Sequence, residues 1–224
     1  MSGYHYDWTQ RKYHADAYSE VPATLQRIGT LLAQTAMALQ SESVEHSDDD
    51  DDSKHQTNTA PTFTASACIV NYYHTKSVMG AHQDDLEYDM TKPIVSLCLG
   101  HLPCLFVLGG TTVDDSAICP IILRPGDVVI MSGPSRLAYH AMARVLPVSL
   151  PAAGTVRVSP RHQLQRTPDE PLPSTDADRD ALEEFLHTHR ININLRQVYP
   201  DGQDPRQQQQ QADANRTKGR SEST

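Results

Sequence analysis

The sequence predicts a mainly β chain with flanking helices, built as a sandwich or jelly roll. Two observations carry this. From residue 65 onward the chain breaks into short runs with β character: Ala67–Tyr73, Ile94–Leu99, Cys104–Leu108, Ile121–Leu123, Val128–Met131 and Leu137–Val145. Gly and Pro punctuate them at Gly100, Gly109-Gly110, Pro125-Gly126-Asp127 and Gly133-Pro134. Many short strands at close spacing are the mark of such architectures.

Taken in order, residues 1–19 are polar and rich in Tyr and His. Residues 22–40 read as a helix, with Pro22 suited to its first turn and an apolar stripe of Leu25, Ile28, Leu31, Leu32 and Leu39. Residues 41–60 contain the run Asp48–Asp52 and read as a solvated acidic insertion. After the strands, residues 147–176 are Pro-rich without a period and read as a long surface loop. A short helix is expected over 177–188, with Leu182, Phe185 and Leu186 inward, then a last strand over Arg190–Tyr199. Residues 201–224, with five glutamines from Gln207 to Gln211, read as a disordered tail. The expected organisation is one domain over 1–199 followed by a tail over 200–224.

With 224 residues the chain can bury one real core. No apolar run approaches the ~20 residues that cross a bilayer. Nor does the N-terminus, Met1 to Trp8, pair a basic region with an apolar one, so an intracellular protein is expected. Cys68, Cys98, Cys104 and Cys119 form no C-x-x-C pair and read as reduced core thiols. The formal net charge is −9, and removing the five Asp of 48–52 leaves −4. That balance counts against strong non-specific binding to nucleic acid, although it leaves room for a local basic rim.

Three motifs carry chemistry. In His82-Gln83-Asp84, residues i and i+2 of a strand point to one face, so His82 and Asp84 can reach one metal ion. Two His and one carboxylate leave three coordination positions open, the ligand set of non-haem Fe(II) oxygenases. The second imidazole must come from elsewhere; His140 is the best placed, with His74 and His101 as competitors. In Arg190-Ile191-Asn192-Ile193-Asn194-Leu195-Arg196 the alternation is clean. Arg190, Asn192, Asn194 and Arg196 share one face, and two guanidiniums with two amides suit a dicarboxylate as well as they suit solvent. Asn71 and Tyr73 share one face of a further strand, with Tyr72 on the other.

In this order, N-x-Y, H-x-D, His and R-x-N-x-N-x-R resemble the AlkB family of Fe(II)/2-oxoglutarate dioxygenases, most strongly its first eukaryotic branch. Further stretches agree: Gly3-Tyr4-His5-Tyr6 with Trp8, Pro93-Ile94-Val95-Ser96 with Gly100, Leu108-Gly109-Gly110, Gly126-Asp127, Met131-Ser132-Gly133 with Ser135-Arg136-Leu137, and Arg144-Val145-Leu146-Pro147. The resemblance covers about residues 3–147 and 180–199. It implies a double-stranded β-helix, a relative of the jelly roll. It implies iron held by His82, Asp84 and His140. Arg190 and Arg196 would take the two carboxylates of 2-oxoglutarate, helped by Asn71, Tyr73, Asn192 and Asn194. Tyr4, Glu87 and Arg136 match positions near the target base. The implied activity uses O₂ to demethylate N-methylated bases in DNA or RNA, tRNA included, preferring single strands or loops because a paired base must first be flipped out. A monomer without membrane contact is expected.

Two positions depart from the family pattern, and the second bears on substrate choice. Asn194 stands where the family more often has Thr, and Leu86 where bacterial members carry a second carboxylate that reads the base. The chain begins at the Gly-Tyr-His-Tyr segment, so the lid that family members place over the nucleotide is expected to be reduced, or lost with a truncated gene product. Competing readings are an oxygenase of protein side chains, a silent binding module, and a cupin-like metal site. The complete triad and both arginines argue against the second, and the Arg–Asn row argues against the third.

Overall fold

The structure, a computed structural model, describes residues 1–44, 62–146, 175–206 and 208. A hairpin of β1 (Ser2–Asp7) and β2 (Lys12–Ser19) opens the chain, followed by helix α1 (Ala23–Val44). Then come β3 (Ala67–His74), β4 (Met79–His82), β5 (Ile94–Gly100), β6 (Cys104–Leu108), β7 (Cys119–Leu123) and β8 (Val128–Met131). A single 3₁₀ turn at Gly133–Ser135 leads to β9 (His140–Val145), and helix α2 (Asp176–Thr188) to β10 (His189–Arg196).

The strands form two sheets, one ordered β2-β1-β3-β10-β5-β8 and one ordered β4-β9-β6-β7, with every pair antiparallel. They pack face to face through Tyr73 and Cys98 on one side and Cys104, Leu123, Met142 and Val145 on the other. This is the jelly-roll arrangement that the strand pattern led us to expect.

β10 lies at the centre of the larger sheet, paired over its whole length with β3 and along Arg190–Arg196 with β5. Its alternation sorts two environments. Leu195 points outward into a core with Cys68, Val95, Leu97 and Ala33 of α1, while Arg190, Asn192, Asn194 and Arg196 point between the sheets.

Several elements differ from expectation. The inward face of α1 is Leu25, Gly29, Leu32, Ala33 and Met37, whereas Ile28, Leu31 and Leu39 are exposed. Small residues let the helix sit close, and Gly29 lies against Leu195. Counting only large apolar residues therefore rotates the predicted stripe. The polar opening segment folds as a hairpin because its tyrosines supply a core of their own: Tyr4 and Tyr13 are buried with Val198, beside Tyr6, Tyr18 and Tyr199. Gly3 makes this possible. Its φ is +80°, and a Cβ there would lie 2.2 Å from the Ser66 carbonyl oxygen.

On α2, Phe185 and Leu186 face inward as expected, but Leu182 is exposed. Cys68, Cys98 and Cys104 are buried free thiols, and Cys119 is an exposed one. The chain does not leave the domain at Tyr199. Asp201 pairs with buried Lys92 at 2.5 Å, Asp204 accepts from Tyr4, and Arg206 stacks over Tyr18 and pairs with Glu20. The acidic run Asp48–Asp52, the Pro-rich loop as far as residue 174 and the glutamine run, Gln208 excepted, lie outside the described residues.

Candidate active site

His82 closes β4 and His140 opens β9, and the two residues are direct partners across the antiparallel ladder. Their rings lie 4.3 Å apart between centroids. Asp84 sits just past the end of β4, not in the strand as its spacing suggested. The loop turns it back so that Oδ1 is 4.0 Å from His82 Nε2 and Oδ2 is 3.7 Å from His140 Nε2. One ligand atom from each of the three lies within 4.8 Å of the others.

The second nitrogen of each ring fixes its tautomer. His82 Nδ1 bonds the Gly80 carbonyl at 2.9 Å, and His140 Nδ1 bonds the Ala138 carbonyl at 3.2 Å. A carbonyl only accepts, so Nδ1 carries the proton and Nε2 keeps its lone pair for a metal. Burial lowers the His140 pKa, with Asp84 opposing and His82 adding to the shift, which favours the neutral ligand form.

Behind Asp84 stands a closed charge cluster. Arg196 Nη2 bonds Asp84 at 2.8 Å and Arg196 Nη1 bonds Glu87 at 2.9 Å. Arg136 Nη2 bonds the other Glu87 oxygen at 2.8 Å, and Tyr13 donates to Glu87 at 2.9 Å. Arg136 also donates to the backbone oxygens of Lys92 and Asp84. Burial by itself would raise the Asp84 carboxyl, but Arg196 and the two imidazoles outweigh it and hold it below the usual carboxylate range. Glu87 follows the same balance: burial raises it, and Arg196, Arg136 and the Tyr13 hydroxyl bring it down.

Of the residues expected near a target base, the structure brings none to the pocket. Glu87 and Arg136 are buried and mutually paired, and Tyr4 is fully buried with its hydroxyl 2.5 Å from Asp204. Each is closed off by its own partners.

Two cavities meet at the triad. The inner one, between the sheets, is lined by Tyr73, Ser96, Cys98, Arg190, Asn192 and Asn194 together with His82 and His140. Arg190 is only 2% exposed. Its guanidinium reaches the Cys98 sulfur at 2.8 Å and the Leu102 carbonyl at 3.4 Å, and among the described residues it has no carboxylate partner. Burial raises the Cys98 thiol, so the sulfur does not compensate the charge. Asn192 Oδ1 and Arg196 Nε are likewise buried without a hydrogen-bond partner. A buried guanidinium without a counter-charge costs several kcal/mol unless a ligand supplies one, and a carboxylate is the group that matches its fork.

The second cavity is wider, about 420 Å³, and opens outward. Asn71, Met79, His82, Asp84, Leu86 and Arg196 line it, together with Tyr6, Trp8 and Arg11 of the hairpin. Arg11 and the importance of the hairpin were not found in the sequence. The only signal was the density of aromatic residues in a polar segment.

Two imidazoles and a carboxylate brought together in a jelly roll are the ligand set of a non-haem iron oxygenase. Comparison with known proteins agrees. The chain belongs to the 2OG-Fe(II) oxygenase superfamily, whose family model matches residues 1–196. It is 34% identical over 203 residues to the nucleic acid dioxygenase ALKBH1 of Homo sapiens, covering 88% of this chain and 44% of that protein. It is 33% identical over 136 residues to the tRNA demethylase abh1 of Schizosaccharomyces pombe, covering 61% of this chain and 37% of that protein. The solved structure of OsALKBH1 shares the fold, with a TM-score of 0.59 and 23% identity over 88% of this chain and 75% of that one. The resemblance to AlkB proteins read from the motifs therefore stands, and this chain spans less than half the length of the two named relatives. Superfamily membership implies Fe(II) and 2-oxoglutarate, and the donor set and the uncompensated Arg190 fit both.

Proposed function

We propose that this chain is an Fe(II)- and 2-oxoglutarate-dependent dioxygenase that uses O₂ to demethylate N-methylated bases in DNA or RNA. The observation that carries the reading is a single cavity with His82 and His140 among its lining residues and the buried, carboxylate-free Arg190 beside them. That cavity asks for a metal and a carboxylate together.

Bound there, iron and 2-oxoglutarate supply the oxidising chemistry that breaks a methyl C–H bond. The chain's own residues do the rest. His82, Asp84 and His140 hold the metal. Arg190 takes one carboxylate of the co-substrate, with Tyr73 and Asn192 beside it. Arg196 acts at one remove: its guanidinium is committed to Asp84 and Glu87, so it fixes the metal-binding carboxylate in place. Phe106, 5.8 Å from the His140 ring, and Met142 keep water from the inner cavity. The wide outer pocket admits the substrate. Tyr6 and Trp8 offer ring faces for a flipped base, and Arg11 offers a charge for phosphate. A nucleic-acid substrate is supported by the activities for which both relatives are named.

The test has two stages. Anaerobic addition of Fe(II) and then 2-oxoglutarate to the purified chain should produce the weak visible charge-transfer band of the ternary complex, and Asp84→Ala should abolish it. Aerobic formaldehyde release is then compared for methylated oligonucleotides and methylated peptides. Release from oligonucleotides alone supports the proposal. Release from peptides alone replaces the substrate class, and absence of the band in folded protein removes the enzymatic reading.

A further inference from the structure

A second cluster of metal-ligating side chains lies away from this site. His101, in the turn between β5 and β6, meets Glu183 and His187 of α2, and one ligand atom of each falls within 4.8 Å of the others. Glu183 and His187 are one turn apart on the helix, with Oε1 and Nε2 separated by 3.8 Å. The His101 and His187 rings are 4.2 Å apart between centroids. None of the three lines either cavity of the active site.

The backbone holds this meeting in place. His101 N–H donates to the Leu186 carbonyl at 3.0 Å. The preceding residue, Gly100, has φ +92°, and a Cβ there would lie 2.4 Å from the His189 carbonyl oxygen. Turn and helix end are therefore in direct contact, and the two histidines cannot drift far apart. The side chains of Glu183 and His187 are 64% and 58% exposed, so they are free to rotate onto an ion. Tetrahedral zinc with N and O ligands at ~2.1 Å needs its donors about 3.4 Å from each other, a closure of a few tenths of an ångström from the present His187–Glu183 separation.

We propose that His101, Glu183 and His187 form a Zn(II) site, with water completing the coordination, that staples α2 to the turn between β5 and β6. Two imidazoles with one carboxylate select a borderline transition metal over Mg(II) or Ca(II), and zinc binds such a set more tightly than Fe(II) does. α2 contains no buried residue, so a metal tether adds materially to its docking. The helix runs directly into β10, which begins with His189 and Arg190. The site does not depend on the functional reading above.

The test uses the full chain carrying Asp84→Ala and His140→Ala, so that the active-site triad no longer competes for zinc. Equilibrium dialysis against Zn(II), with elemental analysis of the protein, should find one ion per chain. At a hundredfold excess over Kd the melting temperature should rise by about 5 °C. Adding His101→Asn and His187→Asn should remove both effects. In the otherwise unaltered chain, the same pair of surface substitutions should lower bound zinc from two ions per chain to one, which guards against a misfolded background. Failure to bind one zinc in the triad variant, or zinc that survives loss of both histidines, would overturn the proposal and leave the cluster as an ion pair beside a ring contact.

Discussion

The two arginines of β10 sit six residues apart on one face of one strand, and their surroundings are opposite. Arg196 is enclosed by Asp84 and Glu87, which Arg136 and Tyr13 hold from behind. Two guanidiniums meet two carboxylates, so the cluster is neutral without a ligand, with Arg196 Nε left unbonded among the described residues. Arg190 is buried as deeply, yet among the described residues its partners are a thiol and a carbonyl. The difference separates scaffold from binding site. A buried charge that is already paired orients its neighbours, and one that is unpaired recognises something that arrives later.

The largest effect should come from breaking the closed cluster. Glu87→Ala removes a ligand of both Arg196 and Arg136 and the acceptor of Tyr13, leaving two buried cations undercompensated. We expect a loss of about 3–5 kcal/mol in unfolding free energy by urea denaturation. Saturating 2-oxoglutarate should not close the difference from wild type. A loss below about 1 kcal/mol would mean that water reaches the cluster and that it does not scaffold Asp84.

Arg190→Met should do the reverse. It removes an uncompensated buried charge and keeps much of the side-chain volume, so stability should be unchanged or higher. The KM for 2-oxoglutarate should rise about 10- to 100-fold through loss of a charge-assisted, forked contact. Denaturation and steady-state turnover on the same preparation check both halves. A stability loss comparable to that of Glu87→Ala would make Arg190 a structural residue and erase the contrast between the two arginines.

The fold was legible because period-2 alternation and Gly/Pro punctuation are local signals. Cys104–Leu108 and Val128–Met131 have the same ends in sequence and structure. The row Arg190–Arg196 was legible for the same reason, and its polar face does point between the sheets. What depends on three-dimensional closure was not legible. Asp84 lies beyond its strand, and its reach toward His140 depends on a loop held by Arg136 from a distant segment. Glu87 and Arg136 match positions near a base in the family pattern, but pairing statistics do not say which carboxylate a buried guanidinium will choose. The face of α1 was misplaced because Gly29 and Ala33 bury a helix by being small, which no hydrophobic stripe records.

A smaller effect sharpens the comparison through pH. Glu87 has an ordinary value of 4.5 and is held below it in the folded chain, because Arg196 and Arg136 outweigh burial. A depressed carboxyl contributes its stability above the unfolded value and loses it as pH falls through the folded one. Glu87→Gln keeps the shape and removes the charge. The unfolding free energies of wild type and Glu87→Gln should therefore differ by a constant amount, about 1–3 kcal/mol, from neutral pH down to about pH 5, with the gap closing as the solution becomes more acidic than the ordinary value. Arg190→Met should leave the wild-type slope over the same range untouched, since among the described residues no carboxylate is paired with Arg190. A gap for Glu87→Gln that stays level through pH 3 would show that hydrogen bonds to the amide substitute for the charge, and the neutral cluster would then rest on geometry instead of ion pairing.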